Sequence, residues 1–154
     1  NVITGGTKGA LLIGWSDGIE VYNNIFHGNG EDGVYTYSGV SNSYIYNNTI
    51  YNNARYGLNI NDSGGTPAGT IYRNNILYNN SGGAVNDLGS GSQQSNNFTN
   101  NPNFANPGAG QFQLNSGSGA IDQGTDLSSM FNVDISGTLR PQGSGWDIGA
   151  YESQ

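Results

Sequence analysis

Four Asn-Asn pairs, Asn23-Asn24, Asn47-Asn48, Asn74-Asn75 and Asn96-Asn97, recur along the chain at nearly constant spacing. Each of the first three follows a run of strand-forming residues, such as "YIY" before Asn47. Aligned on the glycines that open each unit, "GALLIGWSDGIEVYNNIFHGNGED" (9–32), "GVYTYSGVSNSYIYNNTIYNNARY" (33–56), "GLNINDSGGTPAGTIYRNNILYNNSG" (57–82) and "GAVNDLGSGSQQSNNFTNNPNF" (83–104) superpose with offsets of 24, 24 and 26 residues. A period of this length, built from short alternating apolar runs and turn residues, predicts a solenoid of β coils. One such strand cannot bury its apolar face alone, but stacked coils pair their strands in parallel about 4.8 Å apart.

Stacking turns the repeat into columns. The alignment predicts that Val21, Ile45 and Tyr72 stack, as do Phe26, Ile50 and Leu77. It also predicts columns of Ala10, Val34, Leu58 and Ala84, and of Leu12, Thr36 and Ile60. The second member of each pair, Asn24, Asn48, Asn75 and Asn97, is expected to form a hydrogen-bonded ladder, because an amide donates and accepts at once. The competing reading is N-glycosylation at the acceptor patterns beginning at Asn47, Asn61, Asn79 and Asn97. A chain with 24 Asn makes such matches by chance.

The same composition disfavours helices, since 26 Gly and 24 Asn leave few helix formers. A net charge of −7, with Lys8, Arg55, Arg73 and Arg140 as the only cationic side chains besides His27, argues against nucleic acid and anionic membrane as partners. The absence of Cys removes disulfides and thiolate chemistry. No stretch resembles a membrane span or signal peptide. Asn1-Val2-Ile3 aligns with Asn48-Thr49-Ile50, so the chain is expected to open mid-coil. Its first edge would then meet upstream coils or a second subunit.

From Asn100 the repeat gives way to a turn-rich tail containing "NPNFANP", "GQFQLNSGSGAID", "DISGTLRPQG" and "DIGAYE". With the repeated "IYNNTIYNN" and "IYRNNILYNN" units, these motifs resemble the bacterial right-handed parallel β-helix proteins of the pectate-lyase-like superfamily. The resemblance implies an all-β, right-handed parallel β-helix of about four coils with an irregular C-terminal cap. It also implies a secreted or cell-surface protein, of bacterial type. Residues 1–104 would form the coils and residues 105–154 a cap over the last coil, with Phe104, Phe112, Leu114, Ile121, Trp146, Ile148 and Tyr151 as its apolar face.

The residues carry little that reads as bond chemistry. Lyases of this superfamily use a Lys or Arg base, often with Ca²⁺ held by carboxylates, but Lys8, Arg55 and Arg73 share no column. Glycoside hydrolysis needs two carboxyl groups about 5–10 Å apart. Glu31-Asp32 and Asp17 with Glu20 come nearest, and both read as solvated turns. Calcium finds only weak support, and no other metal or cofactor is indicated. Arg140, between Asp134 and Asp147, reads as a salt bridge fastening the cap, and Asp122 and Asp126 as turn residues. His27 falls in an outward column with Tyr51 and Tyr78; Tyr22 and Tyr46 form another with Arg73, while Tyr35 and Tyr37 project from the third strand. Exposed stacked rings suit a sugar, a partner protein, or nothing more than a solvent-facing strand.

The sequence therefore predicts a secreted or cell-surface structural or adhesive β-helix module without catalysis, with an open first edge that suits head-to-tail self-assembly. The alternative is a polysaccharide-binding or lyase-like carbohydrate-active protein, or a fragment of one.

Overall fold

The computed structural model describes residues 1–153. Three parallel sheets wind into a right-handed solenoid. The first contains β3 (Glu20–Tyr22), β6 (Tyr44–Tyr46), β9 (Ile71–Arg73) and β12 (Gln93–Ser95). The second contains β1 (Val2–Thr4), β4 (Ile25–His27), β7 (Thr49–Tyr51) and β10 (Ile76–Tyr78). The third contains β2 (Leu11–Gly14), β5 (Val34–Tyr37), β8 (Tyr56–Ile60) and β11 (Gly83–Asp87).

The column of Val21, Ile45 and Tyr72 forms as expected, and so does that of Phe26, Ile50 and Leu77. The other two columns need correction at their ends. Leu11 rather than Ala10 pairs with Val34, Val85 rather than Ala84 pairs with Leu58, and Ile13 rather than Leu12 pairs with Thr36. The leading glycines misplace these residues because coil length varies in the connection from the third strand to the next first strand. That connection spans 15–19, 38–43, 61–70 and 88–92 in successive coils. Val34, Ile45, Ile50, Leu58 and Ile60 are fully buried. Each contributes on the order of 1.5–3 kcal/mol by leaving water.

Asn pairs make the two turns flanking the second strand. In the pair before it, Asn23, Asn47, Asn74 and Asn96 take left-handed φ values of 47–55°, which Asn tolerates better than branched residues. Their neighbours form the ladder: the backbone and side-chain N–H groups of Asn24 donate to Oδ1 of Asn48 at 3.0 and 3.1 Å. Asn48 does the same to Asn75, and Asn75 to Asn97. A second ladder runs Asn29–Asn53–Asn80 through the following turn. There the left-handed position is filled by Gly28, Asn52 and Asn79. Close beyond this turn, a Cβ on Gly33 would lie 2.3 Å from Cγ2 of Ile50 and 2.7 Å from the carbonyl oxygen of Gly57, so only glycine lets the coils approach.

The tail does not cap the last coil. β13 (Phe104–Asn106) and β14 (Gln111–Leu114) form an antiparallel pair, and the remaining chain runs back along the side of the solenoid. The last coil closes itself with polar residues in core columns. Gln94 follows Tyr72, and Asp87 follows Ile60. Asp87 accepts hydrogen bonds from the Tyr72 hydroxyl, the Gly89 N–H and the Ser92 hydroxyl.

Candidate functional site

The tail reads the outer side of the Asn turns. The Asn47 side-chain amide donates to the carbonyls of Asp147 and Gly149. Asn74 donates to the Thr125 carbonyl and accepts from the Thr125 N–H, while Asn23 donates to the Val133 carbonyl. These left-handed Asn residues point their amides outward, and the tail satisfies them. Asn47 is fully buried by this contact, which leaves no room for a glycan there.

Arg140 locks the arrangement. Its guanidinium lies 2.8 Å from the Glu152 carboxylate with both side chains fully buried, and it donates further to the Asp147 and Gly149 carbonyls and to Asn23. The expected fastening exists, but the carboxylate that bonds the guanidinium is Glu152. Asp134 and Asp147 instead accept backbone N–H groups, Asp134 from Ser136, Thr138 and Glu152, and Asp147 from Asp122 and Ser153. Burial pushes the Glu152 carboxyl above its ordinary range and the Arg140 guanidinium below its own.

The aromatic columns have the predicted register, but two of them lie beneath the tail. On the second sheet, Phe112 packs 4.8 Å from His27 and 5.6 Å from Tyr51, and Phe104 lies edge-on to Tyr51. Tyr78 belongs to the same cluster. Burial lowers the affinity of His27 for a proton. On the first sheet, Phe131 stacks on Tyr22, while Leu127, Phe131 and Trp146 enclose Tyr46, which is 3% exposed. Tyr22, His27, Tyr46, Tyr51 and Tyr78 are therefore anchors for the tail. The sequence hid this because the covering residues, Phe104, Phe112, Phe131 and Trp146, belong to no repeat.

The third sheet carries no hydrogen bond or packed cluster from the tail among the described residues. Tyr35 and Tyr37 stand there as a stacked pair, ring centroids 5.2 Å apart and planes 19° apart. Tyr37 occupies the space that Gly14 leaves open, since a Cβ on Gly14 would sit 2.8 Å from its ring. Leu12 pairs with Tyr35 in register and is 54% exposed. Trp15, two residues further than Ile13, is 80% exposed and has φ 54°, a costly conformation for a bulky side chain. Sequence reasoning missed Leu12 and Trp15. Leu12 falls in the core by the shifted register, and Trp15 lies in the variable connection, where its equivalent in the next coil is Ser38 with φ 55°. Beside the rings, Asn86 donates to Asn59 and Asn59 to the buried carboxylate of Asp32, forming a polar strip.

Of the acidic residues singled out from sequence, Glu20 is exposed on β3, and the others make structural contacts. Asp32 is buried, not solvated: it accepts from the Tyr56 N–H and Asn59 and lies 3.7 Å from Arg55. Glu31 pairs with Lys8 at 3.4 Å. Asp17 accepts from Ser41 and Asn42, which hold its carboxyl below the ordinary range. Asp126 accepts the N–H of Ser128 two residues on, as a turn residue does, whereas Asp122 accepts that of Gly145, 23 residues away, and so ties two segments of the tail together. Among the described residues no three His, Cys, Asp or Glu side chains converge as metal ligands, and no helix is long and apolar enough to cross a membrane.

Compared with known families, residues 1–102 match the family described as right handed beta helix region. No curated protein and no solved structure matches the chain.

Proposed function

The chain belongs to the right-handed β-helix family, and we propose that it serves as a non-catalytic structural and adhesive module that grips its partner with the third sheet. The observation that carries this reading is the asymmetry of the three faces. The tail packs on two of them, leaving only the outer edge of Tyr22 open, and the third leaves Leu12 and Trp15 exposed beside the half-buried Tyr35 and Tyr37. Clustered exposed apolar side chains are a liability unless they contact something. The ladders and the buried Arg140–Glu152 clasp supply a rigid body on which such a face is held. The resemblance of the closing motifs supports a secreted or cell-surface location.

A neutral polysaccharide is the second reading for the same face. Tyr and Trp rings stack on the apolar faces of sugars, and the half-buried Asn86 places an amide on the same sheet, while Asn59 behind it is buried. Head-to-tail filaments receive less support. The apolar edge at β3 and the polar edge at Asp87 and Gln94 do not complement each other.

Retention of the protein under flow, on surfaces coated with neutral polysaccharide or with protein, tests the proposal. Trp15→Ala with Tyr35→Ala is expected to cut retention at least tenfold on the surface that binds, without altering the circular dichroism spectrum. Unchanged retention, or release of soluble sugar products by the wild-type chain, would contradict it.

A further inference from the structure

Three hydroxyls in the middle of the solenoid stand without a protein partner. Those of Thr36, Ser43 and Thr70 make no hydrogen bond among the described residues, and all three residues are fully buried. Buried polar side chains are nearly always paired. The neighbouring amides keep that rule, since Asn48, Asn53, Asn59 and Asn75 all bond to the coils beside them. The three hydroxyls therefore call for a partner that the chain itself does not supply.

Register gathers them at one corner, where the third strand of a coil leads to the next first strand. Thr36 lies in the inward column Ile13–Thr36–Ile60–Asp87. Ser43 and Thr70 lie in a second inward column, Ile19–Ser43–Thr70–Ser92. Its main chain bonds from coil to coil, Tyr44 N–H to the Ile19 carbonyl, Ile71 N–H to that of Ser43 and Gln93 N–H to that of Thr70. In the last coil the two columns touch, because the Ser92 hydroxyl donates to the Asp87 carboxylate at 3.1 Å. Strands that stack in register bring Thr36 and Ser43 to face each other in the same way in the second coil. Thr70 follows one strand spacing beyond Ser43. That spacing of about 4.8 Å exceeds the roughly 2.5–3.0 Å of an O–H···O bond.

We propose that this corner is a binding site for ordered water, with a molecule bridging the hydroxyls of Thr36, Ser43 and Thr70. The chemistry of the site selects the occupant. Each hydroxyl carries one donor and two acceptor lone pairs, so the occupant has to donate and accept. A buried water makes about three hydrogen bonds, the number of hydroxyls that converge. An ion does not suit the corner. The only charged side chain in the two columns is Asp87, in the last coil, and its carboxylate is bonded to Tyr72, Gly89 and Ser92. Nothing in the second or third coil balances a buried charge there. Ser43 is much smaller than Ile19 beside it in the column, which leaves space that the isoleucine fills. Val40, in the connection from Thr36 to Ser43, is fully buried in the core cluster and closes the corner to bulk solvent. The bridge does at this corner what the Asn ladders do at the other two turns. It ties the second coil to the third where the connection lengthens from 38–43 to 61–70.

Oxygen-17 relaxation dispersion of water, recorded on the intact chain and on the Thr36→Val, Thr70→Val double variant, tests the site. The intact chain is expected to hold more long-lived water than the variant, and equal amounts would overturn the proposal. Thr36→Val alone, followed by urea denaturation, is the second arm. Losing a bridged hydroxyl is expected to raise the unfolding constant about fivefold, the worth of roughly one hydrogen bond. A lowered constant would mean that the hydroxyl stands bare in the core, and would overturn it too. Overhauser effects from water on the intact chain need no variant. Cross-peaks to the methyl groups of Thr36 and Thr70 are expected, and their absence would exclude water from the corner.

Discussion

The ring of Phe131 lies 4.5 Å from that of Tyr22 with the planes only 7° apart, although 108 residues and a change of architecture separate them in the chain. Phe131 also meets Trp146 edge-on, so one tail side chain ties the first sheet to the end of the tail. Removing the Phe131 ring by substitution with Ala is expected to cost about 3 kcal/mol, the usual range for losing a buried aromatic. Urea denaturation measures the loss, and Trp146 emission should shift to the red while the exposed Trp15 contributes a constant background.

The ladder makes a different prediction. Asn48 is fully buried; it accepts two N–H groups from Asn24 and donates to Val21 and Asn75. Asn48→Ala strands these partners, each at a cost of about 1–3 kcal/mol. A loss of several kcal/mol in urea denaturation is expected. Asn48→Asp should be little better, because a carboxylate cannot donate to the Val21 carbonyl.

The Arg140–Glu152 pair is expected to behave as a clasp. Glu152→Gln leaves a buried guanidinium without its counter-charge, at a cost of about 3–5 kcal/mol. Hydrogen exchange should report opening of residues 120–152 at lower denaturant than the coils. Uniform loss across the whole chain would instead mean that tail and solenoid fold as one unit.

Tyr72 carries a pH signature. Burial first, and then the neighbouring Asp87 carboxylate, push its phenol up to about 12. A phenol whose pKa is raised on folding contributes stability that is fully present below pH 10 and is lost as pH rises toward 12. Absorbance titration should show a phenol ionising in that late range that Tyr72→Phe removes, separate from Tyr46, whose phenol burial also raises. Asp87→Asn should lower its pKa part of the way back, since burial remains.

The sequence revealed the solenoid because its physics repeats. Columns anchored near the Asn pairs, such as Val21–Ile45–Tyr72, were readable because the Asn turn holds a fixed distance from the first strand. Columns anchored on Gly9 and Gly83 slipped by one residue, as Leu12 shows, because the variable connection absorbs length without leaving a mark in the pattern. The second ladder was not read from the sequence, although Asn52-Asn53 and Asn79-Asn80 carry it, because Gly28 replaces the first Asn of the pair in the first coil. The path of the tail was not legible. Phe112 over His27 and Phe131 over Tyr22 are single long-range contacts, with no periodicity to announce them. For the same reason the outward Tyr columns looked like a free surface when they are a seat.

The most direct test of the account is a nuclear Overhauser spectrum of the intact chain in solution. A tail that runs along the side predicts cross-peaks between the rings of Phe131 and Tyr22 and between Phe112 and His27, with none from Phe112 or Phe131 to Val85 or Gln94. Cross-peaks from the tail aromatics to Val85 and Gln94, with Tyr22 and His27 free, would place the tail over the last coil. The two faces now read as covered would then be open, and the assignment of the third sheet as the contact surface would fail.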